Sequence, residues 1–545
     1  MSQFDVVFVL PYPFADHPSF PEGLLKRSLE RKGFSVGVIE TPFWQKSESF
    51  AVLGRPRLFF AVISGPVDSV VLNYTSSRKR RNEDLYQMEG KAFFKDYPPS
   101  IKYKIRPDRV VTVFSNRIKD VYKDVPIVIG GVEASLRRFS HYDFQQDKIR
   151  RSVLLDSRAN ILVHGMGEMQ LVELAERMKQ GEDVDAIDIP GTTSVRKGLP
   201  EGDGYISLPS LEDVTEQPES LLEVYRLTEF ARFSGKGLAQ PHANRFVVDH
   251  PARLYSSAEL DWIYNAPFAR AHPEHKQFSP ALAMNLFSIS SHRGCGGGCS
   301  FCSISLLEGK GIVSRPLESI LREIHTLQSH PRFRGVISDI GGGSAENYGL
   351  DCSLSTTSCR RNSCLHPGVC KQLPATKPFL NMLREARRQK GVKQVLLGSG
   401  LRYDMLLRDP LLLEEILRHH CGRYLRVAPE HTSDMVLGLM RKAQFEVFQE
   451  FVRLFNSINR TLKRKIQLAP YLVVGHPGET WDDVRDMKNK MRNLGLSTAD
   501  TQIFTPTPGS LSTAMYVAGM NLDGQRIPVE QDLRNLQKRK SLLAK

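Results

Sequence analysis

Residues 294–304 read GCGGGCSFCSI and place Cys295, Cys299 and Cys302 on one glycine-rich turn. Structural zinc usually takes four ligands, with cysteines paired two to four residues apart. Here the spacing is Cys-x3-Cys-x2-Cys, a three-ligand set with no fourth thiol beside it. Thiolates also hold iron–sulfur clusters, which ordinarily take four cysteines. A cubane bound through these three leaves one iron open, and an open metal position is where substrate chemistry occurs. Gly294, Gly296, Gly297 and Gly298 suit a backbone that wraps a bulky inorganic cluster.

The flanks of this turn set the fold class. LAMNLFSIS (282–290) reads as a strand running into the loop. After it, SRPLESILREIHTLQ (314–328) reads as a helix, with Ser314 as cap, Pro316 in the first turn, and Leu317, Ile320, Leu321, Ile324 and Leu327 on one face. GVISDIGGG, QVLLGSG, YLRVAPE, IQLAPYLVVG and TQIFTP supply further strands, separated by helical stretches such as PLLLEEILRHH and TWDDVRDMKNKMRNLG. About six strand–helix repeats are too few for an eight-fold barrel, so residues 281–520 read as a partial (β/α)6 barrel. Upstream, DVVFVL, SVGVIE, RVVTVF, VPIVIGGVEAS and ANILVHGMGE repeat apolar strands followed by turns, with GLLKRSLERKG as an intervening helix. Residues 1–180 therefore read as an open Rossmann-like α/β domain with ligands expected beyond the strand ends. The polar stretch 181–280 reads as a connecting region, and 521–545 as a short basic tail.

The chain has 545 residues, with 41% hydrophobic and 25% charged, an ordinary balance for a globular protein of several domains. MSQFDVVFVL has no secretory pattern and no apolar run reaches membrane-spanning length, so a cytoplasmic protein without a membrane partner is expected. The formal charge of +14 suits a polyanion such as RNA, but it is spread along the chain, and the densest run, SSRKRR (76–81), is short. Of eight cysteines, none precedes Cys295, seven lie between 295 and 370, and Cys421 stands apart. In a reducing compartment such clustering favours metal ligation over disulfides. Cys421 reads as a plain buried thiol.

The three-cysteine loop after a first strand, with Phe301 just before the last cysteine, resembles the radical S-adenosylmethionine superfamily. Over nearly its whole length the chain resembles the YgiQ family of that superfamily. The blocks that carry this are DHPSF (16–20), GGVEASLRR (130–138), HYDF (141–144), GMGE (165–168), GCGGGCSFC, DIGGGSAENYG (339–349), GSGLRYD (398–404), VAPEHTSDMVLGLMRK (427–442) and FTPTPGSLSTAMY (504–516). The chain ends soon after STAMYVAG, where longer relatives continue. The resemblance implies a [4Fe-4S] cluster on Cys295, Cys299 and Cys302. It also implies S-adenosylmethionine on the open iron, reductive cleavage to a 5′-deoxyadenosyl radical, and an electron donor such as flavodoxin or ferredoxin. The substrate is left unknown. RNA modification and a non-catalytic iron–sulfur or zinc protein are the alternatives.

Further positions follow from the resemblance. Gly341, Gly342 and Gly343 end the second core strand, where the superfamily turns towards the methionine amine. Ser399 and Glu430 end the third and fourth strands, suited to contacts with ribose or methionine. Arg441, expected on the following helix, reads better as a solvated charge than as a carboxylate partner, and His476 either faces the cavity or makes a structural hydrogen bond. Cys352, Cys359, Cys364 and Cys370, spaced x6, x4 and x5, are a second constellation for an auxiliary iron–sulfur cluster or a zinc. The N-terminal domain looks like the cobalamin-binding domains that precede many such cores. No D-x-H-x-x-G supplies an axial histidine, since His17 follows Asp16 directly. Cobalamin then binds without a protein histidine or the domain has lost it, and loss is the favoured reading. Asp16, His17, His141, Tyr142 and Asp143 either touch substrate or make internal hydrogen bonds.

Overall fold

Val6–Leu10 is five apolar residues in a row, the pattern of a parallel strand covered on both faces, and all five are buried. In the computed structural model, which describes residues 3–95, 102–199, 202–275, 277–352 and 359–544, this strand lies in a nine-stranded sheet. Val36–Glu40 and Phe59–Ile63 flank it in parallel, and Ile127–Gly130 and Ile161–Val163 extend the parallel run. Helices Pro21–Arg31 and Glu168–Lys179 carry their apolar stripes to the same core, where Leu29, Leu171 and Leu174 meet Val6, Phe8 and Phe59.

Two expectations fail in this part. RVVTVF begins a helix, Val110–Val121, rather than a strand. Val110, Val111, Phe114 and Ile118 recur at helical spacing and are buried, while the Glu133 carboxylate accepts the amides of Val110 (3.3 Å) and Val111 (2.9 Å). An anion on the first free N–H groups outweighs the β preference of the valines. Residues 181–280 are likewise more than a connection. Thr192–Arg196 pairs antiparallel with Ile161–Val163, the hairpin Gly237–His242/Arg245–Asp249 follows, and Tyr205–Ser207 closes the edge. The chain divides into two units, Met1–Leu254 with Trp262–Leu286, and Tyr255–Asp261 with Phe287–Lys545.

In the second unit the strand segments pair in parallel in chain order. Ser288–Ser290 pairs with Asp339–Gly341, Val336–Ile337 with Gln394–Val395, and Leu401 bridges to Val427. Tyr424–Glu430, Gln467–Val474 and Thr501–Ile503 then follow side by side. The sequence expected a strand over 282–290. Residues Pro280–Asn285 are instead helical, started by Pro280 and capped by the Ser279 hydroxyl, and only Ser288–Ser290 is strand. Ser314 is not a helix cap; it pairs with His292, and helix Leu317–Gln328 starts after Pro316. Its apolar face, Ile320, Ile324 and Leu327, is buried against Ile337 and Phe379. Nor is 521–545 a loose tail: Leu533–Ala544 is a helix whose Leu536 and Leu543 join the same core. Among the described residues no helix is long and apolar enough to cross a membrane.

Candidate metal centre

The three-cysteine loop is closed at its base by a two-residue ribbon, His292–Arg293 against Val313–Ser314. Within it the Cys295 amide donates to Gly309 O (3.2 Å), the Gly294 amide to Glu308 Oε2 (2.9 Å), and the Cys302 amide to Cys299 O (3.2 Å). The tight turn needs glycine at two points. Gly294 (φ +86°) and Gly298 (φ +61°) are left-handed, and a Cβ would stand 2.0 Å from Gly311 O in the first case and 2.2 Å from Asn362 O in the second. At Gly297 a Cβ would sit 2.6 Å from Arg402 Nη1 and 3.4 Å from Cys295 Sγ, so the missing side chain leaves room beside the thiol. We expect Gly298→Ala to cut cluster incorporation several-fold, read as iron per chain after anaerobic reconstitution; iron equal to wild type would contradict the steric argument.

Between Cys299 and Cys302 the loop is pinned from three sides. Ser300 N–H donates to Met440 O (3.1 Å), Ser300 O accepts from Ser512 N–H (3.0 Å), and the two hydroxyls lie 2.8 Å apart. Ser512 Oγ is also 2.7 Å from His476 Nε2, and His476 Nδ1 is 2.8 Å from Pro477 O. His476 thus makes the structural hydrogen bond, at the far end of a relay that holds the loop, with Phe301 edge-on to its ring at 6.3 Å. Burial pushes this imidazole down to about 3. It is neutral when folded, whereas the unfolded histidine takes a proton near pH 6.5. Stability from His476 is therefore complete above about pH 6.5 and is lost as pH falls towards 3, at up to ~1.4 kcal/mol per pH unit. His476→Gln should flatten the dependence of the urea midpoint on pH between 6.5 and 5; an unchanged slope would count against it.

Two of the three loop thiols, Cys295 and Cys302, resist ionisation. Burial raises Cys295, with the neighbouring Cys299 adding to the effect, and pushes Cys302 up to about 12. Such a set becomes thiolate by taking up a metal, which suits the donor chemistry of an iron–sulfur cluster. Arg402 lies beside it: Nη1 is 3.5 Å from Cys299 Sγ, while Nε and Nη2 grip the Asp404 carboxylate at 3.0 and 2.6 Å. The sequence reading assigned neither residue a role, although both lie in GSGLRYD. A buried cation beside the three-cysteine loop is the signal that block carries once folded.

The glycines of DIGGGSAENYG do reach the loop. Gly341 O accepts from Ser291 N–H (2.7 Å), Gly342 abuts His292, and a Cβ on Gly343 would stand 3.5 Å from Cys295 Cβ. The same segment brings in residues missed by sequence. Among the described residues Ser344 Oγ and Glu346 Oε2 are buried without a hydrogen-bond partner, and Asn347 faces Cys295. Burial raises the Glu346 carboxyl, whose other oxygen accepts the Arg402 amide. Buried polar atoms without protein partners leave hydrogen-bonding capacity for water or a polar ligand. Ser399 donates to Asp339, which also accepts the Gly398 amide (2.9 Å), so that pair acts together. Glu430 sits at a break in strand register with φ +68°, its carboxylate 3.6 Å from Lys442 Nζ. Left-handed backbone at a glutamate is strained and is held here by the surrounding structure.

Arg441 overturns its expectation. It follows helix Asp434–Leu439 rather than lying on it, has φ +58°, and is 9% exposed, so it is no solvated surface charge. Cys421 is the buried thiol expected, its Sγ 3.2 Å from Tyr424 O. In the N-terminal unit the candidate residues are engaged internally. Asp16 pairs with Arg27 (2.5 Å), and Asp143 with Arg109 (2.6 Å). Tyr142 Oη donates to Asp147 (2.5 Å), and His141 Nδ1 lies 3.0 Å from Phe139 O. His17 Nδ1 accepts the Ser19 amide, and its Nε2 faces Leu286 O (3.1 Å) and Arg270 Nη1 (2.9 Å), so both ring nitrogens are occupied. Glu40, His272 and His275 bring three donor atoms within 4.8 Å. His272 Nδ1, however, accepts the amides of Glu274 and His275, which places its proton on Nε2, facing Glu40 at 2.9 Å. That ring offers a metal no lone pair on this side.

Residues 1–288 match the family model described as Radical SAM N-terminal. UPF0313 proteins of Geobacter sulfurreducens and Methanocella arvoryzae are 42% and 41% identical, each over 99% of this chain and over 89% and 90% of their own lengths. Among solved structures, the radical S-adenosylmethionine methyltransferase TsrM from Kitasatospora setae, with cobalamin and a [4Fe-4S] cluster bound, aligns with a TM-score of 0.51 at 17% identity, over 93% of this chain and 77% of that one. OxsB, a cobalamin-dependent S-adenosylmethionine radical enzyme with aqua-cobalamin bound, aligns with a TM-score of 0.50 at 10% identity, over 99% of this chain and 55% of that one. At these identities the likeness is one of fold, and the expectation that cobalamin has been lost gains no support from it. The chain belongs to the UPF0313 family, the YgiQ family of radical S-adenosylmethionine-like proteins.

Proposed function

We propose that the chain is a radical S-adenosylmethionine enzyme with a [4Fe-4S] cluster on Cys295, Cys299 and Cys302, in a core read as an open (β/α)6 barrel. The observation that carries this is three thiols on one loop pinned by backbone hydrogen bonds, with Ser344 Oγ and Glu346 Oε2 buried nearby in the glycine segment and without a partner among the described residues. A cluster held by Cys295, Cys299 and Cys302 would supply the electron for reductive cleavage of the sulfonium. The protein's share is binding, orientation and exclusion of water. The backbone at Gly341, Gly342 and Gly343, with the atoms just named, holds the amino and carboxylate groups of the methionine moiety. Glu430 and the Ser399–Asp339 pair contact the ribose or methionine. Arg402, fixed by Asp404, places positive charge against Cys299 Sγ, where it would offset the negative charge of a bound cluster. A flavodoxin or ferredoxin donates the electron. His17 would not be available to ligate a cobalamin, because both of its ring nitrogens are in use.

The test is anaerobic. Reconstituted full-length protein given S-adenosylmethionine and a strong reductant should release 5′-deoxyadenosine, followed by chromatography. If fully loaded wild-type protein releases none, the proposal fails.

A further inference from the structure

The segment 359–370 is wound against the three-cysteine loop. Cys364 N–H donates to Gly296 O (2.8 Å), and Ser363 Oγ donates to Gly297 O (2.6 Å). One peptide and one hydrogen bond therefore separate Cys295 from Cys364. The segment is also ordered around a cation. The Arg361 guanidinium donates to the carbonyls of Ser363 (3.0 Å), His366 (3.2 Å) and Gly368, and Cys370 N–H returns to Cys364 O (2.7 Å). Leu365, with Val369 and Leu373 beside it, packs on Ile312, Leu350 and Met405, giving the segment a small core of its own. This winding brings Cys364 within electrostatic reach of Cys352, Cys359 and Cys370. Lys310 Nζ lies 3.0 Å from Cys359 Sγ.

We infer that Cys352, Cys359, Cys364 and Cys370 hold a second iron–sulfur cluster, separate from the one on Cys295, Cys299 and Cys302. Four thiols from one segment complete the usual ligand count of such a cluster. Lys310 and Arg361 offset the negative charge of the thiolates, which would otherwise repel one another. Of the spacings x6, x4 and x5, only the middle one is as close as the paired cysteines of a structural zinc site, and the four cysteines hold no second such pair. The assignment of two clusters rests on the proposed function, but the presence of this one does not.

The experiment uses the full-length chain with Cys295, Cys299 and Cys302 all changed to alanine, reconstituted anaerobically with iron and sulfide. About four irons and four sulfides per chain are expected if the second cluster is a cubane, with Mössbauer spectra of a cluster whose sites are all ligated and indifferent to S-adenosylmethionine. Adding Cys359→Ser and Cys364→Ser should abolish that iron. In the otherwise native chain the same two serines should remove about half of the iron held by wild type. Bound zinc in place of iron, or less than about one iron per chain in the triple-alanine protein, would overturn the inference. So would iron equal to wild type in the otherwise native chain carrying Cys359→Ser and Cys364→Ser, an arm that leaves the three-cysteine loop untouched. Wild-type failure to cleave S-adenosylmethionine would leave the iron in the triple-alanine protein unaffected, so the two proposals fail separately.

Discussion

Cys299→Ala is expected to lower 5′-deoxyadenosine release by at least about 10³-fold, equivalent to about 4 kcal/mol of barrier. The substitution is well placed to isolate chemistry from folding. The turn is held by backbone groups: Cys299 O accepts the Cys302 amide, and Ser300 is pinned through its own amide, carbonyl and hydroxyl. None of these needs the Cys299 sulfur. Arg402 loses one neighbour but keeps its two-pronged grip on Asp404. Thermal unfolding of the unloaded protein should therefore change little, while cluster iron at this loop disappears. Release within tenfold of wild type in a variant shown to be folded would remove the loop from the chemistry.

Arg539→Ala is expected to destabilise the protein by about 3–5 kcal/mol, the usual cost of breaking a buried ion pair from one side. Arg539 lies on helix Leu533–Ala544, and its Nη1 donates to Glu479 Oε1 (2.8 Å) and to Glu479 O (3.2 Å). Glu479 and His431 are both fully buried, with His431 Nε2 3.2 Å from the other carboxylate oxygen. Glu479 Oε1 also accepts the Gly475 amide (2.9 Å). Loss of the guanidinium leaves a carboxylate inside the core with its main counter-charge gone. The guanidinium also lies 5.1 Å from the Trp481 ring, so packing is lost with charge. Leu536, packed against Gly475, ties the same helix down. Arg534→Ala on the exposed face of that helix should cost less than about 0.5 kcal/mol. The pair is compared by urea unfolding, and a loss below about 1 kcal/mol for Arg539→Ala would show that the pair carries little of the stability.

How much of this could be read beforehand depended on whether the signal was local. The strands at Val6–Leu10 and Ile161–Val163 and the helix at Leu317–Gln328 were legible because each carries its own period and its own ends. RVVTVF was misread because the group that makes it a helix, the Glu133 carboxylate, lies more than twenty residues away in the chain. The strands within 181–280 were missed because they are short and depend on neighbours for their hydrogen bonds. Arg441 looked like a surface charge because burial is not a property of a residue's neighbours in sequence.

The three cysteines at 294–304 by themselves set out a candidate ligand set on one loop, since ligand type and spacing are local. The sequence likewise fixed the alternation of strand and helix, through side-chain periodicity. Tertiary structure alone decided that Arg402, Glu346 and Asn347 gather at that loop, that His476 braces it from a distance, and that the second cysteine segment docks on it. It also turned the chain end from an expected tail into a helix locked by a buried ion pair. Those contacts join residues from about 30 to more than 200 positions apart, and their energy exists only once burial has stripped water from both partners.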